Sequence, residues 1–281
     1  MNPDTDIPAW TRIGAPGAGG AVVLAVDFDG SGRREATFRD LVRLLPDVPE
    51  VWQAVPPPDE HLPGTPPEHY LEWWLGLPGG DGADVRAVLG YCAGGVFASA
   101  LADAIAARRG DRPPVILFNP GEPTVDTLDR DFTGIVEGMT ILADDERADL
   151  RERARRARAE AGSDFDALSA RYVALYLESS AVAFERFGID AEVGEQLTRL
   201  FQSYVRYLAA ARALGYRPGW AGAAALTARE QAGSGFTAAE TVFELSRAEL
   251  LRSPEVAAAA RELITGARSA RPKVVLPDHE R

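Results

Sequence analysis

The chain has little of the residue types from which disulfides, metal clusters and histidine-rich sites are made. Its 281 residues include one cysteine (Cys92), one lysine (Lys273) and three histidines (His61, His69 and His279). A single cysteine excludes an internal disulfide and a multi-cysteine metal cluster. We also expect no metal site and no bound cofactor.

Long hydrophobic runs and net positive charge are also absent. No stretch approaches the roughly 18 unbroken apolar residues that a membrane span needs, and no apolar segment of a signal peptide follows the acidic N-terminus. The net charge of -12 argues against nucleic acid or an anionic membrane as the main partner. These features predict a cytoplasmic protein that binds neither nucleic acid nor membrane.

Short apolar runs alternate with helical patterns after a polar lead-in at residues 1–20. We expect strands at residues 21–26, 51–55, 85–89 and 114–118, and helices at residues 38–45, 70–75 and 96–108. Apolar runs of this length are typical of strands buried on both faces of a parallel sheet. The alternation predicts the α/β class, with a mostly parallel sheet.

A series of predicted helices follows from residue 142 to residue 215. It includes a charged helix at residues 149–161 and a second helix for which Ser163 is the expected N-cap. After these helices we expect a weak strand at 223–227, a helix that starts at Ser253-Pro254 and a last strand at 273–276. The expected organisation is a core of residues 21–141 and 216–281, with residues 142–215 inserted as a helical lid.

The segment Gly90-Tyr91-Cys92-Ala93-Gly94 carries the clearest chemical signal. It has the G-x-S-x-G spacing of a nucleophile elbow, with cysteine at the serine position, and it lies between an apolar strand and a helix of small residues. The N-terminus of that helix would favour a thiolate at Cys92. The alternative is a tight strand-to-helix turn that holds an inert cysteine.

Residues 89–95 resemble the elbow of α/β-hydrolase-fold thioesterases from nonribosomal peptide and polyketide biosynthesis. The turn Asp29-Gly30-Ser31-Gly32 and Phe38 are similar to the oxyanion loop of that family and the helix after it. The resemblance covers residues 20–125 well and the remainder only in layout. It implies an α/β-hydrolase fold with a helical lid, and a substrate held on the phosphopantetheine arm of an acyl or peptidyl carrier protein.

The resemblance also implies roles for individual residues. Cys92 would be the acyl-accepting nucleophile, and the backbone N–H groups of Ala93 and Asp29 would form the oxyanion hole. The base should follow the last strand, and His279 is the only histidine placed there. This sequence departs from the family because only two residues follow His279.

The third catalytic position is less determined. The aspartate that the family carries after the strand following the elbow helix falls at Asn119, which would orient an imidazole without bearing charge. Glu230, after the weak strand, is an alternative orienting acid. Asn119-Pro120-Gly121 is also a good turn, so a structural role stays open.

Cysteine changes the reaction that the family fold would carry out. Transfer from a phosphopantetheine thioester to Cys92 exchanges one thioester for another, so the acyl group stays activated. We therefore expect an acyltransferase that passes an acyl, aminoacyl or peptidyl group to a carrier thiol, an amine or a hydroxyl, with cyclisation as one outcome. Hydrolysis to the free acid is the alternative.

Two further interpretations belong to other classes. The segment from Val26 to Ser31 also resembles the opening motif of haloacid-dehalogenase-type phosphatases, in which the aspartate at Asp27 would be the nucleophile. Those enzymes need a lysine before a paired acidic motif, whereas Lys273 follows Asp144-Asp145. The other interpretation is a hydrolase-like scaffold without catalysis.

Overall fold

A seven-stranded sheet forms the centre of the protein. The computed structural model describes residues 7–14, 20–29, 35–58, 66–215, 218–233, 235, 237 and 239–266. The strands are β1 (Trp10–Arg12), β2 (Ala21–Val26), β3 (Glu50–Ala54), β4 (Asp84–Tyr91), β5 (Val115–Phe118), β6 (Ala224–Ala228) and β7 (Ala239–Phe243). Their order in the sheet is β1-β3-β2-β4-β5-β6-β7. Among these described strands, β1 runs antiparallel to its neighbour, β3, and the other pairings are parallel.

Alternation along the central strands divides the core into two layers. In β2, Val22, Leu24 and Val26 pack into one cluster, and Val23 and Ala25 pack into a second cluster on the other face. This is the two-residue period of a strand that is covered on both sides. The prediction of a buried parallel strand at residues 21–26 is confirmed.

Eight α-helices surround the sheet in the described part of the chain. They are α1 (Phe38–Val42), α2 (Pro67–Trp74), α3 (Gly94–Arg109), α4 (Val125–Gly138), α5 (Asp144–Ala161), α6 (Phe165–Phe187), α7 (Ala191–Leu214) and α8 (Pro254–Gly266). Residues of α1 and α8 contribute to one core cluster, whereas residues of α2 to α7 contribute to the other. None of the described helices is both long and apolar enough to cross a membrane.

The helices α4 to α7, here called the helical block, connect β5 to β6. Stacked rings join them, with centroids 4.2 Å apart for Phe132 and Tyr172 and 4.4 Å apart for Tyr176 and Phe201. Helix α4 lies before residue 142, where we expected the helical insertion to start. The N-cap of α6 is Asp164, whose Oδ1 accepts the Ala167 N–H at 3.0 Å.

Aromatic side chains hold the helical block against the sheet. Tyr207 of α7 lies 4.9 Å from Phe97 of α3 and 5.4 Å from Phe28, which follows β2 (centroid to centroid). Tyr204, also on α7, lies 5.2 Å from Phe28. Such pairs contribute about 0.5–1.5 kcal/mol each beyond their buried area. They fix α7 above the end of β2.

Two parts of the sheet differ from the expectation. The expected lead-in at residues 1–20 contains β1, and the Trp10 indole N–H of that strand donates to the Trp74 carbonyl at 3.1 Å. The expected last strand at 273–276 lies outside the described residues. The structure instead shows β7 at Ala239–Phe243, paired with β6.

Candidate active site

Cys92 lies in a sharp turn between β4 and α3. Its φ is 50°, a left-handed value that residues with a side chain seldom adopt. The Cys92 N–H donates to the Phe118 carbonyl at 2.9 Å, and the Cys92 carbonyl accepts from the Gly95 N–H at 3.0 Å. These bonds hold the strained backbone in place. The geometry is that of a sharp strand-to-helix elbow with Cys92 at its tip.

Two glycines allow the strand and the helix to cross at the elbow. A Cβ atom on Gly94 would lie 2.2 Å from the carbonyl oxygen of Val26, and one on Gly90 would lie 2.6 Å from the Cα of Gly95. Real Cβ atoms do not approach backbone atoms this closely. The glycine positions of the motif are therefore required by the close packing of the two backbones.

Cys92 opens into a cavity of about 370 Å³ between the sheet and the helical block. The floor is the elbow with Ala93 and Gly94, and the ceiling comes from α4 and α7. Charged side chains from three separate segments also line it, namely Asp27, Glu35, Arg130, Asp131, Glu137 and Arg247. The cavity is therefore polar around the sulfur, although Phe28 and the tyrosines of α7 supply aromatic surface.

Arg247, in the loop after β7, is the charged residue most closely tied to Cys92. Only 9% of its surface is exposed. Its Nε donates to Glu35 at 2.8 Å, and its guanidinium carbon lies 5.3 Å from the centre of the Tyr91 ring. Tyr91 in turn donates to the other oxygen of Glu35 at 2.6 Å. A buried arginine is thus held beside the elbow by one carboxylate and one ring.

The electrostatics of Arg247 reflect its proximity to Cys92. Burial lowers the pKa of the Arg247 guanidinium, whereas the charges of Cys92, Tyr91 and Glu35 and a hydrogen bond with Cys92 raise it. The raising effects prevail, so the pKa lies above its ordinary value. Arg247 is therefore a permanent cation in this cavity.

A second charged group faces Cys92 from the helical block. Arg130 of α4 contacts Asp131 through Nε at 2.9 Å and Nη2 at 2.8 Å, and the Tyr204 hydroxyl donates to the same carboxylate. Burial and Arg247 lower the pKa of Arg130, but Asp131 and Cys92 raise it, and the net change is upward. Burial, Asp131 and Cys92 raise the pKa of Tyr204 well above its ordinary value, so that Tyr204 stays protonated.

Asn119, the expected third catalytic residue, lies directly after β5 and is completely buried. Its Oδ1 accepts the Ala228 N–H at 2.8 Å, and its own N–H donates to the Leu226 carbonyl at 3.1 Å. Its φ of 46° is left-handed, which asparagine tolerates better than most residues. Through these two hydrogen bonds, Asn119 joins the end of β5 to the end of β6. An orienting role in catalysis stays a prediction.

We expect Asn119→Ala to lower the free energy of unfolding by about 2 kcal/mol. It leaves the Ala228 N–H without its acceptor, which costs about 1–3 kcal/mol, and it puts alanine, which tolerates the left-handed conformation less well than asparagine, at this position. Asn119→Gly removes the same bond without the conformational penalty, so its loss should be smaller. Denaturant unfolding of both variants measures the difference, and wild-type stability for Asn119→Ala would contradict this role.

The two residues expected to form the oxyanion hole line different cavities. Ala93 lines the Cys92 cavity, whereas Asp29 lines a neighbouring cavity of about 610 Å³ and pairs with Arg39 at 3.3 Å. Asp27 and Phe28 line both cavities. The structure thus brings Ala93, but not Asp29, to the cavity that contains Cys92.

The remaining expected residues do not meet Cys92 in the described part of the chain. Glu230 is exposed, in a short 3-10 turn after β6, and does not line the cavity. His69 is exposed on α2. His279 and His61 lie outside the described residues, so the role of His279 as base stays a prediction.

Sequence reasoning missed Arg247 and Glu35. The resemblance places the base after the last strand, and Arg247 follows β7, the last described strand, by four positions. If β7 had been predicted, Arg247 would have been a candidate site residue in the loop after it. Glu35 is 212 residues away in sequence, and no local pattern links the two.

Comparison with known proteins agrees with this architecture. The chain is similar to a mutant of the meta-cleavage product hydrolase CumD, with a TM-score of 0.50 and 14% identity over 92% of this chain and 97% of that one. The chain has the α/β-hydrolase fold. This fold contradicts the phosphatase interpretation of Asp27, which requires a different architecture.

Other solved structures are similar to the chain at lower TM-scores. The wild-type Vlm2 thioesterase domain has a TM-score of 0.47 and 16% identity, and the alignment covers 92% of this chain and 97% of that one. The enol-lactonase from Burkholderia xenovorans has a TM-score of 0.43 and 19% identity, over 92% and 95% of the two chains. No protein-family model and no curated protein sequence matches the chain.

Proposed function

We propose that the protein is an acyltransferase that forms a covalent acyl thioester on Cys92. The acyl, aminoacyl or peptidyl group comes from the phosphopantetheine thioester of a carrier protein in natural-product biosynthesis and is passed to a second nucleophile. The observation that carries this proposal is the position of Cys92. The only cysteine of the chain occupies a strained elbow of an α/β-hydrolase fold and opens into a cavity.

The elbow supports attack on a thioester. The thiol lies next to the N-terminus of α3, which begins at Gly94 and presents unpaired N–H groups and the positive end of the helix dipole. In the proposed reaction the Ala93 N–H stabilises the oxyanion that forms on the thioester carbonyl. The segment Asp27–Phe28, which also lines the cavity, is the candidate source of the second donor, in place of Asp29.

The cavity supports an acyl substrate of moderate size. Its volume of about 370 Å³ lies in the range of sites for small organic ligands. Phe28 and Tyr207 supply apolar surface for the acyl chain, and the carrier remains outside. The chain's acidity, with a net charge of -12, is consistent with a protein partner rather than nucleic acid.

Intact-mass spectrometry tests the proposal directly. After incubation with an acylated carrier protein, we expect the chain to gain the mass of one acyl group, located on the peptide that contains Cys92. Prior alkylation with iodoacetamide is the control, because Cys92 is the only thiol and its alkylation should prevent the gain.

Each result separates the proposal from an alternative. An adduct that disappears when an acceptor thiol is added supports transfer. Rapid release of the free acid without acceptor would support the hydrolytic thioesterase instead. If no adduct forms under any condition, the chain acts as a hydrolase-like scaffold and the proposal is wrong.

A further inference from the structure

Arg247, in the loop after β7, has one N–H group that makes no hydrogen bond in the described part of the chain. Arg247 uses Nε to bind Glu35, but its Nη1 is buried and has no hydrogen-bond partner in the part of the chain that the structure describes. The side chain lines the same cavity as Cys92. Besides its bonds with Glu35 and Cys92, the guanidinium thus keeps one buried N–H without an acceptor, which is costly and favours further negative charge in the cavity.

We infer that Arg247 holds the sulfur of Cys92 as a thiolate and that the acceptor of the acyl group is therefore a thiol. This inference rests on the proposed acyl transfer through Cys92 and names the class of acceptor that the site can use. A guanidinium group is a donor only and stays charged in proteins. It can stabilise a thiolate, but it cannot remove a proton from water, a hydroxyl or an ammonium group.

Thioester exchange needs no base in the site. The Cys92 thiolate attacks the carbonyl carbon of the donor thioester, a new carbon–sulfur bond forms, and the bond to the donor sulfur breaks. The donor leaves as a thiolate and takes a proton from the solvent. The acceptor thiol loses its proton to the solvent, and its thiolate attacks acyl-Cys92 in the same way and restores the Cys92 thiolate. The proton lost by the acceptor equals the one gained by the donor, so atoms and charges balance without proton transfer in the cavity.

Water and hydroxyl groups would need a proton acceptor to attack acyl-Cys92 efficiently. Four carboxylates line the cavity, those of Asp27, Glu35, Asp131 and Glu137, and each of them has an interaction partner. Glu35 accepts from Tyr91 and Arg247, and Asp131 accepts from Arg130 and Tyr204. The charges on this wall of the cavity therefore stabilise anions at sulfur rather than activate neutral nucleophiles.

Charged and titratable groups reach Cys92 from three elements. Arg247 comes from the loop after β7, Arg130 from α4 and Tyr204 from α7, and each has Cys92 among the groups that raise its pKa. Tyr204 stays protonated, so the two arginines supply the positive charge. Arg247 is the more deeply buried of the two arginines, so solvent should screen its attraction to the Cys92 sulfur less than that of Arg130.

The rate of Cys92 alkylation by iodoacetamide at neutral pH tests the role of Arg247, because only the thiolate reacts. We expect Arg247→Met to slow alkylation about tenfold or more, given the strength of a charge-assisted hydrogen bond. Arg247→Lys should restore part of the rate. Arg229→Met, which removes an exposed arginine paired with Glu244, is the matched control and should alkylate like the wild type.

Stability is measured alongside, because Arg247→Met leaves Glu35 without its cation. Should that variant fail to fold, the double variant Arg247→Met with Glu35→Gln removes the unpaired charge and serves in its place. The ultraviolet absorbance of the thiolate is a second readout that a purely structural role would not change. A folded variant that keeps the wild-type alkylation rate and absorbance would overturn the role of Arg247.

The acceptor is tested on wild-type protein carrying an acyl group on Cys92. We expect free pantetheine to discharge the adduct at least about a hundredfold faster than water or a hydroxyl acceptor, a factor at the lower end of what a general base contributes. Comparable release into water would overturn the thiol requirement. If no adduct forms, the proposed function fails, while the alkylation rates still decide the role of Arg247.

Discussion

Replacing Cys92 with serine is expected to reduce acyl transfer to a thiol acceptor at least about a hundredfold, which is the lower end of the contribution of a general base. Serine keeps the position and nearly the size of the nucleophile, but its hydroxyl must lose a proton to attack. The Arg247 guanidinium beside it cannot accept that proton. Steady-state transfer between two carrier thiols, with labelled acyl group, measures the effect.

Cys92→Ala is the matched control for this prediction. It removes the nucleophile and should abolish transfer altogether, while unfolding measurements verify that the fold is intact. If Cys92→Ser kept more than about a tenth of wild-type activity, a proton acceptor would have to lie within reach of residue 92. In that case His279→Ala in the serine background would show whether that residue provides it.

Gly94→Ala is expected to lower the free energy of unfolding by about 3 kcal/mol, at the upper end of the usual range for overpacking. The added Cβ would stand 2.2 Å from the Val26 carbonyl oxygen, a backbone atom that cannot move without displacing β2. Relief of this clash would require α3 to shift away from β2. Denaturant unfolding gives the stability change, and acyl transfer should fall with it.

Gly134→Ala is the comparison for this substitution. Gly134 is inside α4, and a Cβ there would meet nothing within 4 Å. Because alanine is the better helix former by about 1 kcal/mol, this variant should be slightly more stable than the wild type. A Gly94→Ala protein as stable as Gly134→Ala would show that the elbow does not need its close crossing.

The central part of the fold could be predicted because its residues are uniformly apolar. β2 and β5 are fully apolar runs, and α3 is rich in small residues. Local pattern and burial agree in these elements, so the parallel sheet follows from them. The elbow was predictable for the same reason, since its spacing is contained in five consecutive residues.

Strand β7 could not be predicted from the same kind of pattern. It lies at the edge of the sheet, and its residues Ala239–Phe243 are all exposed or only partly buried. Edge strands bury little, so they lack the continuous apolar run that marks a central strand. Because β7 was not predicted, Arg247 was not recognised as a residue that follows the last described strand; the expected base, His279, stays a prediction.

The arrangement of charges around Cys92 depends on distant segments. Arg247 meets Glu35 across 212 residues of sequence, and Arg130 belongs to a helix, α4, that we did not expect. The position of Cys92 in an elbow could thus be inferred from the sequence, but the character of its surroundings could not.

The aromatic contacts above the cavity restrict how large molecules can approach the sulfur. Tyr204 and Tyr207 of α7 pack on Phe28, and Tyr207 also packs on Phe97. Both ends of the helical block continue into strands of the sheet. A ceiling packed on its floor in this way leaves Cys92 facing a cavity of about 370 Å³, which is too small for a folded protein domain. In the proposed transfer, the donor and acceptor thiols must therefore reach the sulfur on long, thin arms.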